Sequence, residues 1–167
     1  MIRVLFVDHA TALGGAEHSL LLLLKHLDRD QFSPVLGCRE GPLADGARQC
    51  GVPVELVAMP RLRSLAAPGR LLSGAMALAR VMRRYDIDVV QCNTMRASLY
   101  AALAARWTRK PLVWHVRDIY APGRYVRWMA RRATRVLAVS EAAAAPIREL
   151  AAVYVVPNGV ELEAFRH

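Results

Sequence analysis

The sequence predicts an α/β fold: a Rossmann-like, doubly wound parallel sheet of six or seven strands with helices on both faces. Three observations predict it. Short apolar runs recur along the chain, and each is continuous rather than alternating, as expected of strands buried on both sides. Segments of helical periodicity separate the runs, which is the pattern of crossover connections in a parallel sheet. No internal repeat or low-complexity segment interrupts this alternation.

In chain order, the first strand is the run 2–7, Ile2 to Val7, and the Leu-rich helix 16–27 follows the pair Gly14 and Gly15. The second strand, 34–38, starts at Pro34, a position where a missing amide donor does least harm. Helix 43–50 is closed by Gly51, a residue suited to the left-handed turn after a helix. Strand 54–57 leads into the loop 58–68, rich in Pro, Arg and Ser, and then a long helix at 68–85. Strand 89–92 is followed by helix 95–107, with Asn93 or Thr94 as its cap. Pro111 precedes strand 112–116, helix 124–132 follows, and strand 136–139 runs into Ser140 and Glu141. Those two supply an N-cap and an acidic first turn for helix 141–150, before a last strand at 153–156.

At 167 residues the chain suits one domain. Its hydrophobic fraction of 54% is high, yet no apolar run approaches the roughly 18 residues that span a bilayer. No leader pattern precedes the first strand, which sets the expectation of a cytoplasmic protein. Cys38, Cys50 and Cys92 are far apart without ligand spacing, so they are expected as small buried hydrophobes, and neither a disulfide framework nor a metal site is indicated. The formal charge is +9, and the stretch from Arg61 to Arg135 holds 16 Arg or Lys against Asp86, Asp88 and Asp118. Such asymmetry points either to an anionic partner or to solvated outer helix faces. No aromatic stacking surface or helix-turn-helix signal accompanies these residues, which argues against nucleic acid. In helix 124–132, Arg124, Arg127, Arg131 and Arg132 alternate with Tyr125, Trp128 and Met129, a pattern that suits an anionic membrane surface or a helix packed by Trp128.

Ligands of open parallel sheets bind beyond the carboxyl ends of the strands, so the unusual residues there are the candidates. After the first strand, Gly14 and Gly15 permit close backbone approach and the helix start favours an anion, while Glu17 complements the helix dipole. After the fourth, Asn93 either caps the next helix or faces a ligand. After the fifth, His115, Arg117 and Asp118 gather a titratable group, a cation and a carboxylate before Pro122 and Gly123. After the sixth come Ser140 and Glu141. GxGxxG is absent and no Gly-Lys-Ser/Thr follows the glycines, so the first loop is neither a dinucleotide fingerprint nor a P-loop.

These motifs, in this order, resemble the N-terminal domain of GT-B glycosyltransferases of family 4, the retaining, nucleotide-sugar-dependent type. The resemblance rests on Gly14, Gly15, Ala16 and Glu17, on His115 with Arg117 and Asp118, on Val139, Ser140 and Glu141, and on Val156 to Val160 with Phe165. It implies an acceptor-binding domain at 1–157, the start of an interdomain linker at 158–167, and a C-terminal donor domain outside this chain. The glycine loop would lie near the donor diphosphate and His115, as the catalytic residue, near the transferred sugar. Gly14, Gly15, Glu17, Asn93, Arg117, Asp118, Ser140 and Glu141 would bind substrate. No cofactor and no metal are implied beyond a nucleotide-sugar substrate, and the partners would be a glycan or lipid-linked acceptor, the C-terminal domain, and an anionic membrane surface on the inner face. The basic clamp on the diphosphate and the paired glutamates of this family belong to the other domain, so the isolated chain is expected to be inactive. A non-catalytic Rossmann-like ligand-binding domain and a nicotinamide-dependent oxidoreductase domain are the alternatives. The second strand ends in Gly37, Cys38 and Arg39 rather than an acidic residue for a ribose, which weighs against the latter.

Overall fold

A computed structural model describes residues 1–61 and 67–161. Phe165, the 162–167 part of the expected linker and the 62–66 part of the expected loop lie outside the described residues. The strands are β1 (Ile2–Val7), β2 (Phe32–Cys38), β3 (Val54–Leu56), β4 (Val89–Cys92), β5 (Leu112–Val116), β6 (Arg135–Ala138) and β7 (Val153–Val155). The helices are α1 (Gly15–His26), α2 (Pro42–Gln49), α3 (Ala67–Arg84), α4 (Met95–Thr108), α5 (Arg124–Arg132) and α6 (Glu141–Arg148). The seven strands form one parallel sheet in the order β3-β2-β1-β4-β5-β6-β7. The order reverses between β1 and β4, which is where a doubly wound sheet opens a crevice.

Alternate residues of β1 feed opposite cores, as strand periodicity requires. Val4 and Phe6 pack with Leu20 and Leu24 of α1 and with Leu43 and Ala47 of α2. Leu5 and Val7 face the larger core, built from α3 to α6 around Leu78, Met82, Tyr100, Trp114 and Met129. Cys38 and Cys92 are fully buried and Cys50 packs against the smaller core, and burial pushes the Cys38 thiol up to about 12. All three are free and behave as apolar filling.

Two local readings are decided by the structure. Pro34 is not at a strand entrance: β2 begins at Phe32, and Pro34 pairs with Val4 inside the sheet. It is tolerated because Leu36 donates to Pro53 toward β3, and Pro34, two residues earlier, faces the same side before β3 begins. The second concerns α5, whose aromatic side turns inward. Tyr125 and Trp128 pack against the larger core, and Tyr125 meets Trp114 and Tyr120 edge-on, leaving Arg124, Arg127, Arg131 and Arg132 exposed. Most arginines of the basic stretch are likewise on solvated faces, with Arg96 and Arg117 as half-buried exceptions. Gly51 carries the positive φ of 70° expected after α2, and its amide donates to Arg48.

Candidate functional site

The carboxyl ends of β1, β4 and β5 place four polar side chains in the crevice at the switch point. Asp8, directly after β1, is fully buried, and Oδ1 accepts from the Ala10 amide at 2.9 Å while Oδ2 has no partner. Burial pushes its carboxyl up to about 6, against the pull of the Arg117 guanidinium. Asn93, directly after β4, is 1% exposed, and its Oδ1 accepts from Gln91 Nε2 while its Nδ2 is unpaired. It is therefore not the cap of α4. Thr94 occupies that position, and its hydroxyl bonds His9 Nδ1 at 2.6 Å rather than the helix.

His115 and Arg117 come from β5 and the residue after it. Phe6, Gln91 and Val113 are in register across β1, β4 and β5, so their side chains share a face with α1, and His115 falls on that face too. His115 Nδ1 lies 3.3 Å from Nη2 of Arg117 and 3.4 Å from Nε2 of Gln91. A guanidinium only donates, so Nδ1 accepts and the ring hydrogen sits on Nε2, which is buried without a partner. Burial, then the Arg117 charge, lowers the imidazole to about 4, so the ring is neutral at pH 7. Arg117 donates from Nη1 to Asn158 at 3.0 Å, and its Nε is unpaired. Burial lowers the guanidinium, opposed by the carboxylates of Asp8, Glu17 and Asp118.

The glycine loop closes the crevice from the α1 side. Glu17 is buried, and its Oε2 accepts from the Gly14 amide at 2.8 Å, so it braces the loop as well as complementing the dipole. Gly14, at φ −117° and ψ −171°, has extended backbone open to any residue. A Cβ on Gly15 would meet nothing within 4 Å. Gly15 is thus not required by packing within the chain, whereas a Cβ on Gly14 would crowd Glu17 Oε2 at 3.0 Å. Beside the loop, α1 and the segment leaving β7 enclose a cavity of about 590 Å³ with His115 and Arg117 in its wall. Asn158 anchors that segment by accepting from both Ser19 and Arg117, and Lys25 pairs with Glu161.

The remaining candidates lie elsewhere. Asp118 is exposed and accepts from the Tyr120 hydroxyl at 3.3 Å, on the side away from His115. Ser140 Oγ accepts from the Ala143 amide at 3.2 Å and caps α6, while Glu141 pairs with Arg148 at 2.5 Å. Sequence reasoning missed Asp8, Gln91 and Asn158 as site residues. For Asp8 the signal was present, a carboxylate at the end of a fully apolar strand next to the switch point.

Residues 13–164 match the model of Glycosyltransferase Family 4. The chain belongs to this family. Among solved structures the family 4 chain is similar to HepE of Anabaena in complex with UDP-glucose, with 25% identity, a TM-score of 0.75, and coverage of 98% of this chain and 45% of that one. It is also similar to a glycosyltransferase from Rickettsia africae ESF-5, with 18% identity, a TM-score of 0.79 and the same 98% and 45% coverage. A curated relative from Psychrobacter cryohalolentis is a UDP-N-acetylglucosamine–N-acetylmuramyl-(pentapeptide) pyrophosphoryl-undecaprenol N-acetylglucosamine transferase. It is 34% identical over 97 residues, which are 54% of this chain and 27% of that protein. The family 4 chain thus spans about half the length of the solved structures it matches. The family assignment leaves no support for the oxidoreductase alternative. No helix among the described residues is long and apolar enough to cross a membrane.

Proposed function

We propose that this chain is the acceptor-side half of a retaining glycosyltransferase, which moves a sugar from a nucleotide-sugar donor to a glycan or lipid-linked acceptor. Residues 1–157 form that half, residues 158–167 begin the linker to a donor-side domain, and no cofactor beyond the donor is used. The observation that carries the reading is the set of unpartnered buried atoms: Asp8 Oδ2, Asn93 Nδ2, His115 Nε2 and Arg117 Nε. Leaving such a group unsatisfied costs about 1–3 kcal/mol, so four together at a strand switch point are best explained by a ligand that satisfies them. HepE, solved with UDP-glucose, supports a nucleotide-sugar as that ligand.

In this reading the donor diphosphate approaches the backbone at Gly14 and Gly15, where the helix N-terminus favours an anion and the missing Cβ of Gly15 leaves open space. His115 donates from Nε2 to an oxygen of the transferred sugar, held in that tautomer by Arg117. Asp118, Ser140 and Glu141 lie on the outer rim of the strand ends and contribute through the loops they brace. The chain's task is to hold two reactants close and to offer fixed donors to developing negative charge. The exposed arginines of α5 support contact with an anionic membrane surface by charge alone, and in this reading the protein acts peripherally at the cytoplasmic face.

The test is sugar release from a panel of labelled nucleotide sugars. The protein joined to its donor-side domain is expected to turn over one of them, and residues 1–167 alone are expected to fold and turn over none. Turnover by the purified 167-residue chain contradicts the division of labour.

A further inference from the structure

A second cavity, of about 430 Å³, opens at the carboxyl ends of the strands, lined by His9 and Thr11 after β1, Arg39 after β2, Pro60 and Arg61 beyond β3, and Arg96 in the first turn of α4. Four separate chain segments thus deliver three arginines and a histidine to one concavity. No carboxylate lines it among the described residues. The nearest in sequence, Glu40, is drawn away by two hydrogen bonds to Arg48 at 2.9 and 3.1 Å. Asp8 is fully buried, with Oδ1 accepting from the Ala10 amide, and does not line the cavity.

We propose that this cavity binds the phosphate or diphosphate group of the acceptor, an assignment that rests on the acceptor-side reading above. Three guanidinium groups are charge-matched to a diphosphate far better than to a single carboxylate, and their planar forks suit phosphate oxygens. His9 is neutral at pH 7, because burial and the charges of Arg96, Arg39 and Arg61 hold its imidazole down to about 4. With its Nδ1 engaged by Thr94 at 2.6 Å, the ring serves as a positioned wall rather than a fourth cation. The cavity and the donor loop leave β1 together, since His9 and Thr11 belong to the loop that ends at Gly14. An acceptor anchored here by its phosphate therefore extends its sugar end toward His115.

The first arm titrates inorganic pyrophosphate and inorganic phosphate into the 167-residue chain by calorimetry. Pyrophosphate is expected to bind more tightly than phosphate, and Arg39→Gln with Arg61→Gln is expected to weaken it at least tenfold. The charge-matched control Arg127→Gln with Arg131→Gln is expected to leave it within twofold. Equal weakening by the control, or no weakening in the cavity pair, overturns the site. Competition with geranyl diphosphate against a hexose 1-phosphate tells a lipid-borne phosphate from a soluble one, and failure of both overturns the assignment to an acceptor. The second arm follows nucleotide-sugar hydrolysis, with water as acceptor, in the protein joined to its donor-side domain. The cavity pair is expected to keep wild-type hydrolysis, and loss of hydrolysis there places the cavity on the donor instead. If the wild-type protein hydrolyses no nucleotide sugar, the acceptor assignment falls with the parent reading, while the pyrophosphate arm still decides the anion site.

Discussion

Arg117 Nη2 and His115 Nδ1 stand 3.3 Å apart, two residues from each other along the chain, and this contact sets the state of the histidine. A permanent donor on Nδ1 puts the hydrogen on Nε2, toward the crevice. Arg117→Met is expected to let the His115 tautomers mix and to raise its pKa from about 4 part of the way back, because burial remains the larger cause. Two-bond nitrogen-proton NMR of the imidazole reads both. A tautomer already mixed in the wild type removes the proposed donor.

Stability should rise as pH increases from about 4 to 6.5. His9 and His115 are each lowered to about 4, so across this window the unfolded chain binds more protons at both. Asp8, raised to about 6, acts in the opposite sense, because between its ordinary value and 6 the folded chain binds more protons there. Two histidines outweigh one aspartate. Asp8→Asn should steepen the rise and His115→Asn should flatten it, as read from urea midpoints at successive pH values. A midpoint that falls over this range contradicts the burial described for the histidines.

Packing between α3 and α4 depends on Gly74. A Cβ there would lie 2.7 Å from the ring of Tyr100 and 2.8 Å from the Ala58 carbonyl oxygen. Tyr100 has no room to retreat, being fully buried with its hydroxyl donating to Pro60 at 2.8 Å. Gly74→Ala should cost about 1–3 kcal/mol, seen as a melting temperature lower by roughly 2–12 °C. An unchanged melting temperature means that the helices are further apart.

Membrane contact through α5 is expected to be electrostatic. With Tyr125 and Trp128 packed inward, only the arginines are left to meet headgroups. Co-sedimentation with anionic vesicles should weaken when Arg124, Arg127, Arg131 and Arg132 become Gln, and should fade in high salt. Binding that ignores lipid charge points to a different surface.

The strands and helices were legible in the sequence where the apolar pattern is unbroken: the bounds of β1, β4, β5 and α5 follow directly from it. Pro34 misplaced the start of β2, because a proline inside a strand is tolerated only by an arrangement of neighbours that local pattern does not contain. Arg117 and Asp118 read as a pair, yet only Arg117 turns to His115, since successive residues leaving a strand point to opposite sides. Asp8 escaped for another reason. Its significance is an unmet hydrogen bond at Oδ2, and that depends on what residues distant in the chain do or do not supply.

The central claim is that a donor approaches the backbone at Gly15 while His115 faces the sugar being moved. It is tested most directly by nucleotide-sugar turnover of Gly15→Val and His115→Ala in the protein joined to its donor-side domain, with melting temperatures measured alongside. A Cβ on Gly15 would meet nothing within 4 Å, so the fold is expected to tolerate the larger side chain. Losing one positioned donor typically costs on the order of 100-fold in rate. The account predicts turnover at least tenfold lower in each variant, with unfolding unchanged for Gly15→Val. Wild-type turnover in either variant contradicts it.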